Sequence, residues 1–335
     1  MSISAPDFVG LLKQRLLDNI STQIDHVFNV PADIQKMLGG SEKNLSLEES
    51  AKIFDAGIVE LMRKPEEDSS KEGGSSFISH VNNHYDHVFY DDNGMTGVLF
   101  GDTDYRNHGY WDRNTVSQDQ ACRQLQEILL DFIPVKTGKI LDVACGMGAS
   151  TRHLLKYYPA ENIWAINISD KQIDTARRNA PGCHVQVMDA TNMSFADEAF
   201  ENILCIEAAF HFNTRRKFLE EALRILKPGG RVVLSDFIFS SPERLEQNNI
   251  LPGPVNHLAS IEEYAQLLND VGFSDFTIQD VSDEVWGGQF LNGTSKLHKA
   301  FYDGKLDIVR MTEALWCYYY INASTEKSLF VSAQK

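Results

Sequence analysis

The chain has 335 residues and carries 47 Asp and Glu against 31 Lys and Arg, a formal net charge of −16, which argues against a nucleic-acid substrate, since phosphate contacts need a basic face. No apolar run approaches the ~18 residues of a membrane span, and Met1 to Gly10 lacks the basic start and apolar stretch of a signal peptide. Five cysteines without paired spacing fit reduced thiols in a cytoplasmic protein, and the length exceeds one ordinary domain of about 100–200 residues.

Residues 1–64 are expected to form a helical extension. Leu11, Leu12, Leu16, Leu17, Ile20, Ile24 and Val27 lie at helix spacing with a wide apolar face, Ile34 to Leu38 is a short helix, and a third runs from Leu45 to about Met62. A bundle of ~60 residues is small to stand alone, so it is expected to pack on the core, on a partner or on its own copy as a homodimer. Residues 65–76 have the composition of a flexible linker. Residues 77–115 are rich in aromatics, histidine and glycine and are expected to form a lid.

The remainder, 116–335, alternates strands and helices. Ile140, Leu141 and Val143 read as a strand buried on both faces, followed by a turn at Gly146 and Gly148 and a helix from Ala149 to Tyr158 opened by Ser150 and Thr151. Glycine there lets a ligand approach the main chain, and a helix start offers unpaired N–H groups. Further strands are expected at Trp164–Ile168, His184–Met188, Phe200–Ile206 and, after a helix to Leu226 and the breaker Lys227-Pro228-Gly229-Gly230, at Arg231–Ser235. Pro242 to Pro254 reads as a loop, Ile261–Val271 as a helix, and Phe273–Val281 and Leu329–Ala333 as closing strands. An aromatic-rich insertion at about 282–325 is expected to cover a substrate. The pattern predicts an α/β fold, a doubly wound, mostly parallel sheet of seven strands.

Asp142 to Gly148 resembles motif I of class I S-adenosylmethionine (SAM) dependent methyltransferases, acidic-x-x-x-Gly-x-Gly, and Leu-Lys-Pro-Gly-Gly before the fifth strand is typical of the same family. The dinucleotide fingerprint would want a third glycine or alanine where Thr151 stands. The resemblance implies SAM as cofactor, held by Asp142, Ala144, Gly146 and Gly148, by Asn167, Ile168 and Gln172, by Asp189 and Ala190 near the adenine, by Glu207, and by Tyr85 and Trp111 at the methionyl end, where aromatic faces suit a sulfonium. The family usually carries an acid at the end of the second strand, where this chain has Asn167. The segments around Tyr85 and Trp111 resemble those of small-molecule methyltransferases of the erythromycin-sugar, sarcosine and cyclopropane-fatty-acid-synthase kind.

Glu207-Ala208-Ala209-Phe210-His211-Phe212-Asn213 follows the fourth strand, at the carboxyl end where ligands bind in open α/β sheets. An imidazole there can take the proton of an attacking hydroxyl, so His211 is the expected general base. Asp236 or Glu207 is expected to orient it, with His257 a third candidate from a substrate loop. Phe210, Trp286 and Tyr319 are expected to line the acceptor site. No metal-ligand spacing occurs. The expected activity is O-methylation of an apolar small-molecule or carrier-bound natural-product intermediate. Carbon methylation with Glu207 stabilising positive charge comes second, nitrogen methylation third, and a scaffold or cyclase on the same fold or a NAD-dependent dehydrogenase remain the rivals.

Overall fold

The computed structural model describes residues 74–90, 95–240, 252–307, 310–311, 314–315, 318, 321 and 324–335. The chain divides into Met1–Glu72 and Gly73–Lys335, and every described residue belongs to the second unit. The expected N-terminal helices, and with them the homodimer contact, lie outside the described residues, as do 65–73 of the expected linker. Its last residues are not linker: Gly74–Ser76 begin helix α1, Gly74–Tyr90.

Helix α2 spans Met95–Phe100 and α3 spans Gln118–Asp131, capped by Ser117, whose hydroxyl accepts from the Gln120 N–H. Then come β1 (Ile140–Val143), α4 (Ala149–Leu154), β2 (Ile163–Asn167), α5 (Asp170–Asn179), β3 (His184–Val187), β4 (Phe200–Ile206), α6 (Arg215–Ile225), β5 (Leu226–Phe239), α7 (Ile261–Val271), β6 (Ser274–Asp280), α8 (Gly288–Tyr302) and β7 (Thr325–Gln334). The strands form one seven-stranded sheet in the order β3-β2-β1-β4-β5-β7-β6. Pairing is parallel from β3 through β5, and β7 runs antiparallel to both β5 and β6. This is the doubly wound sheet that the alternating pattern predicts.

The pleat sorts β1 between two cores. Leu141 and Val143 pack with Phe218, Leu219 and Ala222 of α6 and Tyr264 and Leu268 of α7. Ile140 faces Leu125 and Leu129 of α3 and Leu154 of α4. Asp142 therefore points to the α3–α4 side, which decides its role below. The chain order reverses direction between β1 and β4, so their carboxyl ends open a crevice at the topological switch point.

Three local readings need correction. Helix α4 ends at Leu154 rather than Tyr158, and its cap is Gly148, not Ser150 or Thr151. Both hydroxyls turn inward to Asp142 instead, donating across 2.7 Å each. Strand β5 begins at Leu226, since Pro228-Gly229-Gly230 is absorbed as an irregularity where the register jumps from Phe200↔Leu226 to Asn202↔Arg231. Within the insertion, Asp283–Gly287 forms a π turn leading into α8. Among the described residues, no helix is long and apolar enough to cross a membrane.

Candidate active site

A cavity of about 380 Å³ opens at the carboxyl ends of β1, β2 and β4, within the range of roughly 300–1,000 Å³ expected of small-molecule sites. Helix α1 covers it with Phe77, Val81, Tyr85 and Phe89, and the loop 104–108 closes one side.

The floor is the turn after β1, where Ala144, Gly146 and Gly148 all have positive φ, at 57°, 53° and 82°. A Cβ at Gly148 would stand 2.8 Å from Ala176 Cα, so this glycine is what lets α4 start against α5. At Gly146 a Cβ would meet the Phe89 ring at 3.2 Å; a side chain there would fill the space between floor and lid. Ala144, Gly146, Asn167, Ile168, Gln172, Asp189, Ala190 and Glu207 all line the cavity, in the places the motif order anticipates for the methionyl, ribose and adenine parts of a nucleoside cofactor. The residues therefore fit such a group.

Asp142 does not line this cavity. It is buried, its Oδ2 accepting from Ser150 and Thr151, and burial pushes its carboxyl up to about 6 against the pull of those hydroxyls. Its part is to hold the start of α4 in place, not to touch a ligand. At the end of β2, Asn167 Nδ2 donates to Gln172 Oε1 over 2.8 Å and Ile168 N donates to Asn167 Oδ1 over 2.7 Å. Asp189 Oδ1 accepts from both the main chain and the hydroxyl of Thr191, each at 2.8 Å.

Tyr85 and His211 meet inside the cavity, the phenol bonding His211 Nε2. Burial, and next the Glu207 carboxylate, raise the Tyr85 phenol well above its ordinary range, so the phenol keeps its proton. Phe210 packs on the His211 ring at 4.1 Å between centroids, which holds the imidazole against the wall. Glu207 sits at φ 48° and is fixed by Ser235, whose carbonyl and hydroxyl both accept its N–H at 3.1 Å. Its Oε2 accepts from the His108 main-chain N–H at 2.9 Å and from His108 Nδ1 at 2.5 Å. The other oxygen, Oε1, is buried without a partner.

Asp236 does not orient His211. It is buried in an ion pair with Arg215, whose Nε donates to Oδ2 at 2.8 Å, and it also accepts from the Tyr264 hydroxyl at 2.9 Å. Trp111 and Trp286 do not line the cavity either. Trp111 Nε1 donates to the His108 carbonyl and its side chain packs on Gly288; Trp286 packs edge-on against His108 and stacks on Tyr318. Both rings thus brace the loop that carries His108. His257 lies in a separate depression, its Nε2 on the Phe239 carbonyl. Tyr319 lies outside the described residues.

Two cavity residues escaped the motifs. His108 lies within Asn107-His108-Gly109-Tyr110-Trp111, and its pairing with Glu207 spans 99 positions that no local pattern reports. Arg106 lies against the rings of Phe89 and Phe100, with centroids 5.5 and 5.4 Å from its guanidinium carbon, and burial lowers its affinity for its proton. Its Nε is buried without a partner, which suits it to an anionic group in the cavity. Among the described residues no cluster of three metal-binding side chains occurs.

Comparison with known proteins agrees with this geometry. Residues 141–234 match the family model described as a methyltransferase domain. The 27-O-demethylrifamycin SV methyltransferase of Amycolatopsis mediterranei is 29% identical over 191 residues, covering 52% of this chain and 69% of that one. The O-methyltransferase cnsE of Penicillium expansum is 29% identical over 205 residues, covering 57% and 72%. Among solved structures, the [4+2]-cyclase SpnF superposes with a TM-score of 0.59 at 19% identity, over 77% of this chain and 96% of that one, a likeness of fold. The fold, the glycine floor and the matched domain define a class I methyltransferase. Residues 141–234 are thus a methyltransferase domain of the SAM-dependent kind, and the protein is an enzyme with SAM as its cofactor.

Proposed function

We propose that the enzyme methylates a hydroxyl of an apolar small molecule or carrier-bound natural-product intermediate, with His211 as the final proton acceptor. The observation that carries this reading is the Tyr85–His211 hydrogen bond inside the cavity. The two O-methyltransferases above support it by likeness over about half the chain.

When bound, SAM supplies a methyl group made electrophilic by its sulfonium. The floor at Ala144–Gly146, Asn167 with Gln172, and Asp189 with Ala190 would hold it, and Arg106 would face its carboxylate. The chain's own contribution begins with alignment, which converts the encounter of hydroxyl and methyl into an intramolecular event. Phe210, Val81 and Phe77 give the acceptor an apolar wall. As the acceptor oxygen attacks, Tyr85 receives its proton while passing its own to His211 Nε2. Tyr85 need not become a phenolate, which burial disfavours.

The test is incubation with methyl-labelled SAM and hydroxylated macrolactones, deoxysugar glycosides and phenols, with the site of label read by mass spectrometry and NMR. Label on oxygen is expected. Label on carbon would favour the alternative in which Glu207 stabilises positive charge. Binding of S-adenosylhomocysteine with no transfer to any acceptor would favour a non-methylating role.

A further inference from the structure

A ribose presents two neighbouring hydroxyls at the end of the second strand of such a sheet, and a carboxylate suits that corner because it accepts from such hydroxyls without offering a competing donor. Here the strand ends in a neutral residue whose two polar atoms each already have a partner within the protein. Asn167 Oδ1 accepts from Ile168 N, and Nδ2 donates to Gln172 Oε1 at 2.8 Å. Gln172 then turns its own Nε2 to Asp86 Oδ1, also at 2.8 Å. The same oxygen takes the Ser169 hydroxyl at 2.6 Å. The hydrogen bonds run in one direction, Asn167 to Gln172 to Asp86, and end on a carboxylate carried by the lid helix α1. Four residues further along α1, the Tyr90 hydroxyl bonds the Lys171 carbonyl and Thr175 Oγ1 at 2.9 and 2.8 Å, fastening that helix to α5 a second time.

We infer that Asp86 is the positioning residue of the ribose corner: the acid has moved from the strand end to the helix above the cavity, so cofactor affinity depends on α1 being docked. Asp86 does not line the cavity and acts through Gln172, which does. The inference rests on the SAM reading of the site.

The amide of Gln172 makes the idea testable, because it has one donating and one accepting end. Asn167→Asp removes the donor that Oε1 now accepts from and sets two oxygens face to face. Rotating the amide to repair this turns Oε1 onto Asp86. Either way one contact is repulsive. In the double variant Asp86→Asn/Asn167→Asp the Gln172 amide rotates by half a turn and both of its contacts are matched again, with the Ser169 oxygen accepting from the new amide instead of donating and the charge at the strand end.

Calorimetric titration of S-adenosylhomocysteine into the full chain, the three single variants Asn167→Asp, Asp86→Asn and Asp86→Ala, and the double variant decides the matter. Asn167→Asp and Asp86→Ala should each bind about tenfold more weakly, as an unmatched polar contact of about 1–3 kcal/mol implies, whereas Asp86→Asn keeps an oxygen toward Gln172 and should bind within about threefold of the parent. The double variant should return to within about threefold of the parent. In parallel, S-adenosylhomocysteine should slow amide exchange in residues 80–90 of the parent more than of Asp86→Ala. An Asp86→Ala variant that binds as the parent does overturns the inference alone, as does a double variant that binds no better than Asn167→Asp. No binding by the parent overturns the cofactor reading, and this inference with it.

Discussion

The Tyr85 hydroxyl and His211 Nε2 are hydrogen-bonded across 126 positions of sequence, joining a helix that precedes the sheet to the turn that leaves its fourth strand. Neither residue is placed by its own element alone. Tyr85 is brought down by α1, and His211 is held by Phe210 on one side and the phenol on the other.

Removing either end of this pair separates chemistry from binding. His211→Ala should lose about 10²-fold or more in kcat, the usual worth of a positioned proton acceptor. Tyr85→Phe, which keeps the ring and removes the proton path, should lose a similar factor. Both should bind S-adenosylhomocysteine as the parent does. A Tyr85→Phe enzyme of normal kcat would leave the phenol a packing role only.

Asp142 predicts a pH dependence of stability with a definite sign. Its carboxyl rises from 3.8 to about 6 on folding because burial penalises the charge. The native state therefore holds the proton more tightly than the unfolded chain. Its stabilising contribution is fully present below about pH 3.8 and is lost as pH rises through about 6, a difference of order 3 kcal/mol. The substitution Asp142→Asn keeps an oxygen to accept from the two hydroxyls and has no such titration. Urea melts from pH 4 to 8 should show the variant gaining on the parent by that order as pH rises, and a variant that instead loses ground toward high pH would mean the buried charge is favourably paired.

The sheet was legible because its cause is local. Ile140, Leu141 and Val143 announce a strand covered on both faces, and Gly146 and Gly148 announce the turn, so the order of elements and the floor of the cavity follow from short windows. The partners of the polar side chains do not follow in this way. Asp236 follows Ser235, the last β5 residue paired with β4, though β5 itself runs on to Phe239, and Arg215 claims it from the first turn of α6. Likewise Asp142 is spent on Ser150 and Thr151, whose capping pattern reads the same whether the hydroxyls face the helix or the core. Which of two acids faces a ligand depends on side-chain directions set by packing, and the pairs His108–Glu207 and Asp86–Gln172 join residues 99 and 86 positions apart.

For Asp236 the expected loss is therefore in folding. With Asp236→Ala the Arg215 guanidinium remains buried beside an apolar gap, and breaking such a pair costs about 3–5 kcal/mol. Denaturant midpoints should fall accordingly. At a temperature where the variant is folded, kcat should stay within a few-fold of the parent. A stable variant that loses 10²-fold in kcat would restore Asp236 to the chemistry.

Gly148 gives the sharpest test of the cavity floor. Its φ of 82° is one that an L side chain rarely adopts, and the added Cβ of Gly148→Ala would stand 2.8 Å from Ala176 Cα and 2.9 Å from its Cβ. The contact is with helix backbone, so no side chain can swing away; α4 must lift from α5 or the turn must change course. Either movement displaces Gly146 and Ala144, which share the turn. Gly148→Ala should cost at least about 2 kcal/mol, the strain of a left-handed residue plus overpacking. It should also weaken S-adenosylhomocysteine binding by more than tenfold. Gly253→Ala, with φ 77° and open space around its Cβ, carries the strain without the clash and should leave that binding unchanged. Equal binding losses in both variants would show that the loss at 148 does not come from the α4–α5 approach.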